Sequence, residues 1–140
     1  MSDAPAEADS ATEFQGVKVM VIDDSKTIRR TAESLLQKHG ATVETAVDGF
    51  EALSRVADSR PDIIFIDVMM PRLDGYQTCA LIKNNKQFRE TPVIMLSSKD
   101  SVFDKAKGRV VGSEDYLTKP FTRDDLLDAM RKYAHQGAPE

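Results

Sequence analysis

Three stretches constrain the fold most. "VKVMVI", "DIIFID" and "PVIML" are apolar almost without interruption, where a strand with one wet face would alternate apolar and polar residues. A strand stays apolar on both sides when helices cover both faces of its sheet, the usual setting of a parallel sheet. The residues between agree with this. Strand-like runs at 17–22, 43–46, 63–66, 93–96 and 116–118 alternate with helical patterns at 26–38, 50–57, 76–84, 101–111 and 123–135. Gly40, just past Lys38 and His39, reads as a helix stop, while Asp24 or Ser25 and Thr122 stand where helix N-caps belong. The expected architecture is α/β, a doubly wound parallel sheet. With 140 residues, 41% of them hydrophobic, the chain can bury one core and is short for two.

The ends read differently from the middle. Residues 1–15, "MSDAPAEADSATEFQ", are small and acidic with almost no aliphatic side chain, so they cannot offset the entropy of ordering. A disordered tail over 1–15, a domain over 16–136 and a short C-terminal tail over 137–140 are expected. Several function classes are disfavoured. A net charge of -4, with nineteen scattered Lys and Arg, does not supply the clustered cations that neutralise nucleic-acid phosphates. No apolar run approaches the roughly 18 residues of a membrane span, and the N-terminus lacks a signal peptide's basic and apolar regions. The single cysteine, Cys79, fits a reducing compartment and a packing role, so a cytoplasmic protein is expected. Cys79 sits within a helical stretch and His39 and His135 at helix ends, without the spacing of a zinc site.

In open parallel sheets the ligand crevice lies beyond the carboxyl ends of the strands. Here those ends read "VIDDS", "FIDVMMP", "MLSSK" and "YLTKPF", which collects Asp23, Asp24 and Asp67 on one edge with Ser97 and Lys119 alongside. Taken singly, Asp24 and Ser97 read as helix caps and Lys119 as a solvated cation. Asp67 resists such a reading, because a carboxylate closing a buried apolar run is costly unless paired or liganded. At about 5 Å and an effective dielectric near 20, each carboxylate pair repels by roughly 3 kcal/mol, more than Lys119 alone offsets. Magnesium, a hard cation that takes one or two carboxylates and leaves positions for phosphate oxygens, suits such a site.

These segments resemble the receiver domain of two-component response regulators over nearly the whole folded chain, about 17–133. "VMVIDDSKTIRR" is similar to the family's acidic-pair segment, "FIDVMMPRLDGY" to its phosphoacceptor segment, "VIMLSS" to its hydroxyl segment and "DYLTKPF" to its lysine segment. The resemblance implies a flavodoxin-like fold, a five-stranded parallel sheet flanked by five helices. It implies Asp67 as phosphoacceptor, with magnesium held by Asp23, Asp24, Asp67 and the backbone carbonyl of Met69. Ser97 would hydrogen-bond the phosphoryl group, Lys119 would contact acceptor and phosphoryl oxygens, and the bond before Pro120 would be cis. Tyr116, three residues before the lysine, matches the switch aromatic. A carboxylate attacking phosphorus needs charge neutralisation and positioning more than covalent help, and yields a labile acyl phosphate suited to a transient signal. Pro71 and Gly75 read either as devices that shape the loop after Asp67 or as ordinary turn punctuation, and Met69 and Met70 as packing side chains.

Neither His39 nor His135 is near the site in this topology, so a sensor histidine kinase or a small acyl phosphate is the implied donor. By the same resemblance, phosphorylation remodels the face of the fourth helix, fifth strand and fifth helix, where Lys105, Gly108, Arg109, Thr118, Phe121 and Thr122 are candidate partner contacts beside Tyr116. Lys105 and Arg109, like Arg29 and Arg30, read equally well as solvated charge. Few residues follow the last helix, so output through another protein is expected. "DDSKTIRRTAE", "MMPRLDGYQTCALIKNN" and "FDKAKGRVVGS" are similar to stand-alone receivers of the chemosensory systems that control type IV pili and twitching motility, which implies a pilus or motility partner. Two alternatives stay open. A receiver-like scaffold would bind its partner without phosphorylation. A magnesium-dependent phosphohydrolase would want a second aspartate two residues after the nucleophile, where this chain has Met69. A dinucleotide enzyme is disfavoured, since "DDSKTI" replaces a glycine-rich turn after the first strand.

Overall fold

A computed structural model describes residues 11–134. Five parallel strands, β1 (Lys18–Ile22), β2 (Thr42–Ala46), β3 (Ile63–Asp67), β4 (Val93–Ser97) and β5 (Asp115–Thr118), form one sheet in the order β2-β1-β3-β4-β5. Helices α1 (Lys26–Lys38), α2 (Gly49–Ser59), α3 (Gly75–Lys83), α4 (Val102–Val110) and α5 (Arg123–Tyr133) connect and follow them. The uninterrupted apolar runs are the central strands: every residue of β3 and β4 is buried. Alternation along the strands divides the core. Val19, Val21, Ile63, Phe65, Ile94 and Leu96 meet Leu36 of α1 and Leu126, Leu127 and Met130 of α5. Met20, Ile22, Ile64, Ile66 and Met95 meet Ala52 and Val56 of α2 and Tyr76, Cys79 and Ile82 of α3.

Capping side chains set the helix starts. Ser25, rather than Asp24, caps α1 by accepting from the Ile28 N–H. Thr122 caps α5 as expected, with Asp125 returning a bond to the Thr122 N–H. α1 ends at Lys38, with His39 as its C-cap before Gly40.

Packed structure reaches further towards the N-terminus than the composition of residues 1–15 predicts. Residues 11–15 belong to the packed body: Phe14 is fully buried in the core, and its N–H donates to the His39 carbonyl at 2.9 Å. Glu13 accepts two bonds from the Arg131 guanidinium of α5, at 2.7 and 3.2 Å. One aromatic side chain in a run of small polar residues does not change an averaged composition, yet its burial ties the segment down. The expected C-terminal tail, and His135, lie outside the described residues.

Candidate functional site

The sheet ladder delivers the site. Beyond the last paired residues, the Asp23 N–H bonds the Ala46 carbonyl, the Val68 N–H the Leu96 carbonyl, and the Lys119 N–H the Ser97 carbonyl. Register puts Asp67 opposite Leu96, and Ser97 opposite Thr118. The main chain of each site residue is therefore anchored while its side chain leaves the core at one edge.

Asp23 and Ser97 are fully buried and Asp67 is nearly so, at 3% exposure, whereas Asp24 faces solvent. Lys119 Nζ bridges the two buried acids, 2.9 Å from Asp23 Oδ2 and 3.1 Å from Asp67 Oδ1. Asp67 Oδ1 also accepts the Met69 N–H, and Asp23 Oδ1 accepts the Ser25 N–H. Burial, reinforced by the charge of Asp23, pushes Asp67 up to about 6 despite the opposing ammonium. Burial alone would lower Lys119, but the carboxylates of Asp23 and Asp67 outweigh it and hold the ammonium above its ordinary range. One ammonium thus compensates two buried carboxylates incompletely.

Carboxylate oxygens of Asp23, Asp24 and Asp67 lie within 4.8 Å of one another. An all-oxygen donor set with an unbalanced negative charge and one member open to solvent fits a small, hard divalent cation that keeps part of its water shell. The Met69 carbonyl is in the same loop, and the Met69 side chain is half exposed, contrary to the packing expected of it; Met70 does pack. Ser97 Oγ accepts the Lys99 N–H at 3.0 Å. The Lys119-Pro120 bond is cis.

Other expectations are corrected, narrowed or met. Arg29 is not merely solvated: it is half-buried, and its guanidinium donates to the Asp23 carbonyl at 2.7 Å, fixing the acidic turn. Gly75 is more than punctuation, because a Cβ there would collide with the Asp67 carbonyl and stand 2.8 Å from Val68 Cα. Of the candidate partner contacts, Gly108 is buried, Arg109 and Thr122 are exposed, and Lys105, Thr118 and Phe121 are half-exposed. Cys79 packs, its thiol pushed up to about 12 by burial. His39, at the far end of α1, takes no part in the site. Two groups had no sequence signal. Arg72, at φ 69, is strapped across the loop by an ion pair to Asp48 at 2.9 Å, with its guanidinium over the Phe50 ring. Tyr76 is buried with its hydroxyl bonded to the Asp104 carbonyl and next to that of Tyr116.

A five-stranded parallel sheet whose carboxyl edge presents two buried acids, a third exposed acid, a hydroxyl and a bridging lysine has the architecture of a receiver. Residues 19–131 match the response regulator receiver domain, and the chain belongs to that family. It is similar to Protein PilG of Pseudomonas aeruginosa, with 68% identity over 124 residues, 89% of this chain and 92% of that protein. It is 38% identical to Response regulator MprA of Mycobacterium sp. over 124 residues, but spans only 53% of that protein's length. Among solved structures, chemotaxis protein CheY4 of Vibrio cholerae superposes with a TM-score of 0.81 at 37% identity, covering 84% of this chain and 98% of that one.

Proposed function

We propose that this chain is a stand-alone response regulator that accepts a phosphoryl group on Asp67 from a sensor histidine kinase and signals through protein–protein contact. The carrying observation is the placement of Lys119 Nζ between Asp23 and Asp67, at 2.9 and 3.1 Å, in a cluster of three acids. Magnesium would be held by Asp23, Asp24, Asp67 and the Met69 carbonyl, and when bound would supply charge neutralisation for the transferring phosphoryl group. Asp67 has the nucleophile's role: a carboxylate oxygen bonds to phosphorus as the phosphorus–nitrogen bond to the donor imidazole breaks. Lys119, already on Asp67, offsets charge on the acceptor and the incoming oxygens. Ser97 Oγ accepts the Lys99 N–H, which leaves its own proton available for a phosphoryl oxygen. Tyr116 on β5 then reports occupancy to the α4–β5–α5 face as a shift between conformers.

The output partner on this reading is a protein of the type IV pilus and twitching-motility machinery. The similarity of the helix and loop segments to stand-alone receivers of those systems, and the 68% identity with Protein PilG, support it. The reading places the protein in the cytoplasm, in reach of a kinase; no described helix is long and apolar enough to cross a membrane. The test is phosphoryl labelling in magnesium by acetyl phosphate or a cognate kinase. The wild type takes up label and Asp67→Asn does not; equal labelling of the variant would falsify the assignment.

A further inference from the structure

Tyr76 sits in the first turn of α3, buried among apolar side chains, where its hydroxyl must find a partner. It finds two. Its Oη donates to the Asp104 carbonyl in the first turn of α4 at 3.1 Å and lies 3.2 Å from Tyr116 Oη. A phenol has one proton. With that of Tyr76 given to Asp104, the proton between the hydroxyls belongs to Tyr116, so Tyr116 donates to Tyr76. The Tyr116 ring packs close over a glycine: a Cβ on Gly108 would stand 3.3 Å from Tyr116 Cδ2, a tight contact. Lys107 Nζ of α4 lies over the Tyr76 ring, 4.8 Å from its centroid, a cation–π contact that ties the ring to that helix.

Tyr76 is also joined to the acceptor loop. It follows Gly75, whose N–H bonds the Val68 carbonyl at 3.0 Å and where an added Cβ would strike the Asp67 carbonyl. Any shift of that loop carries Tyr76, and with it the acceptor of the Tyr116 hydroxyl. We propose that Tyr76 is a positioning residue for Tyr116. Its hydroxyl holds the β5 aromatic in the rotamer seen here, so that Asp67 and the α4–β5 face are coupled through a tyrosine pair as well as through Ser97. The inference rests on the receiver reading of Asp67 and Tyr116.

The test follows the ring resonances of labelled tyrosine, of which the chain has three, in wild type, Tyr76→Phe, Tyr116→Phe and the double variant. Each is titrated with beryllofluoride in magnesium. Tyr76→Phe is expected to retain the fold while changing the Tyr116 rotamer ratio about five-fold, the weight of one net hydrogen bond, and to move the beryllofluoride midpoint. Tyr116→Phe breaks the same bond from the other side and leaves the bond to Asp104, so the double variant should move the midpoint no further than Tyr76→Phe alone. Unaltered Tyr116 resonances in Tyr76→Phe, or single effects that simply add, would overturn the proposal. A wild type whose Asp67 ignores beryllofluoride would instead sink the receiver reading, while the rotamer ratio without beryllofluoride would still decide whether Tyr76 holds Tyr116.

Discussion

At the scale of single residues, the account turns on two acids sharing one cation. Burial and the charge of Asp23 raise Asp67 from an ordinary 3.8 to about 6, so the folded state holds this proton more tightly than the unfolded chain does. Such a group contributes stability that is fully present below about pH 4 and is lost as pH rises through about 6. In metal-free buffer Asp67→Asn should therefore be more stable than wild type at pH 7, by about 1–3 kcal/mol, with the gain vanishing below about pH 4. Urea unfolding across that range checks it. Lys119→Met has the opposite effect. Leaving Asp23 and Asp67 facing each other should cost about 3 kcal/mol at neutral pH, and acidification should recover part of the loss as Asp67 takes up its proton. Asp67, Ser97 and Lys119 were legible in the sequence because each closes a strand or directly follows one, and strand ends share an edge whatever the details of packing. Arg29 and Tyr76 were not, because their roles depend on which side chain meets which carbonyl or hydroxyl once the helices dock.

At the scale of elements, the strands were readable because two-sided burial writes itself as unbroken apolar runs, and α1 was readable from its cap and its glycine stop. Phe14 escaped the reading, since a segment's mean composition hides one anchoring aromatic. Truncating a buried phenylalanine leaves a cavity, so Phe14→Ala should cost about 3–5 kcal/mol in chemical unfolding, far beyond what a disordered tail could show. The turn into α3 makes a second demand. Gly75→Ala puts a methyl against the Asp67 carbonyl, and should cost about 1–3 kcal/mol while slowing phosphorylation, because the loop bearing Asp67 and Met69 must move aside. Paired unfolding and labelling measurements on the same preparation would separate this from general loosening, which would lower stability without altering labelling of the folded fraction.

At the scale of the molecule, charge left uncompensated at the sheet edge becomes a ligand-dependent stability. Magnesium at about a hundred times its dissociation constant should raise the unfolding free energy by about 2.7 kcal/mol, and chelation should remove it. Asp23→Asn combined with Asp67→Asn should abolish the response, since little of the acid cluster then remains to bind. The same edge is where the phosphoacceptor can be read at one atom. An acyl phosphate on a carboxylate is reduced by borohydride to an alcohol, which marks the phosphorylated residue permanently. Peptide mapping after brief phosphorylation in magnesium and borohydride trapping should find homoserine at position 67 and nowhere else. A mark on Asp23 or Asp24, or no mark in protein that binds magnesium normally, would contradict the assignment of Asp67 as the residue that receives the signal.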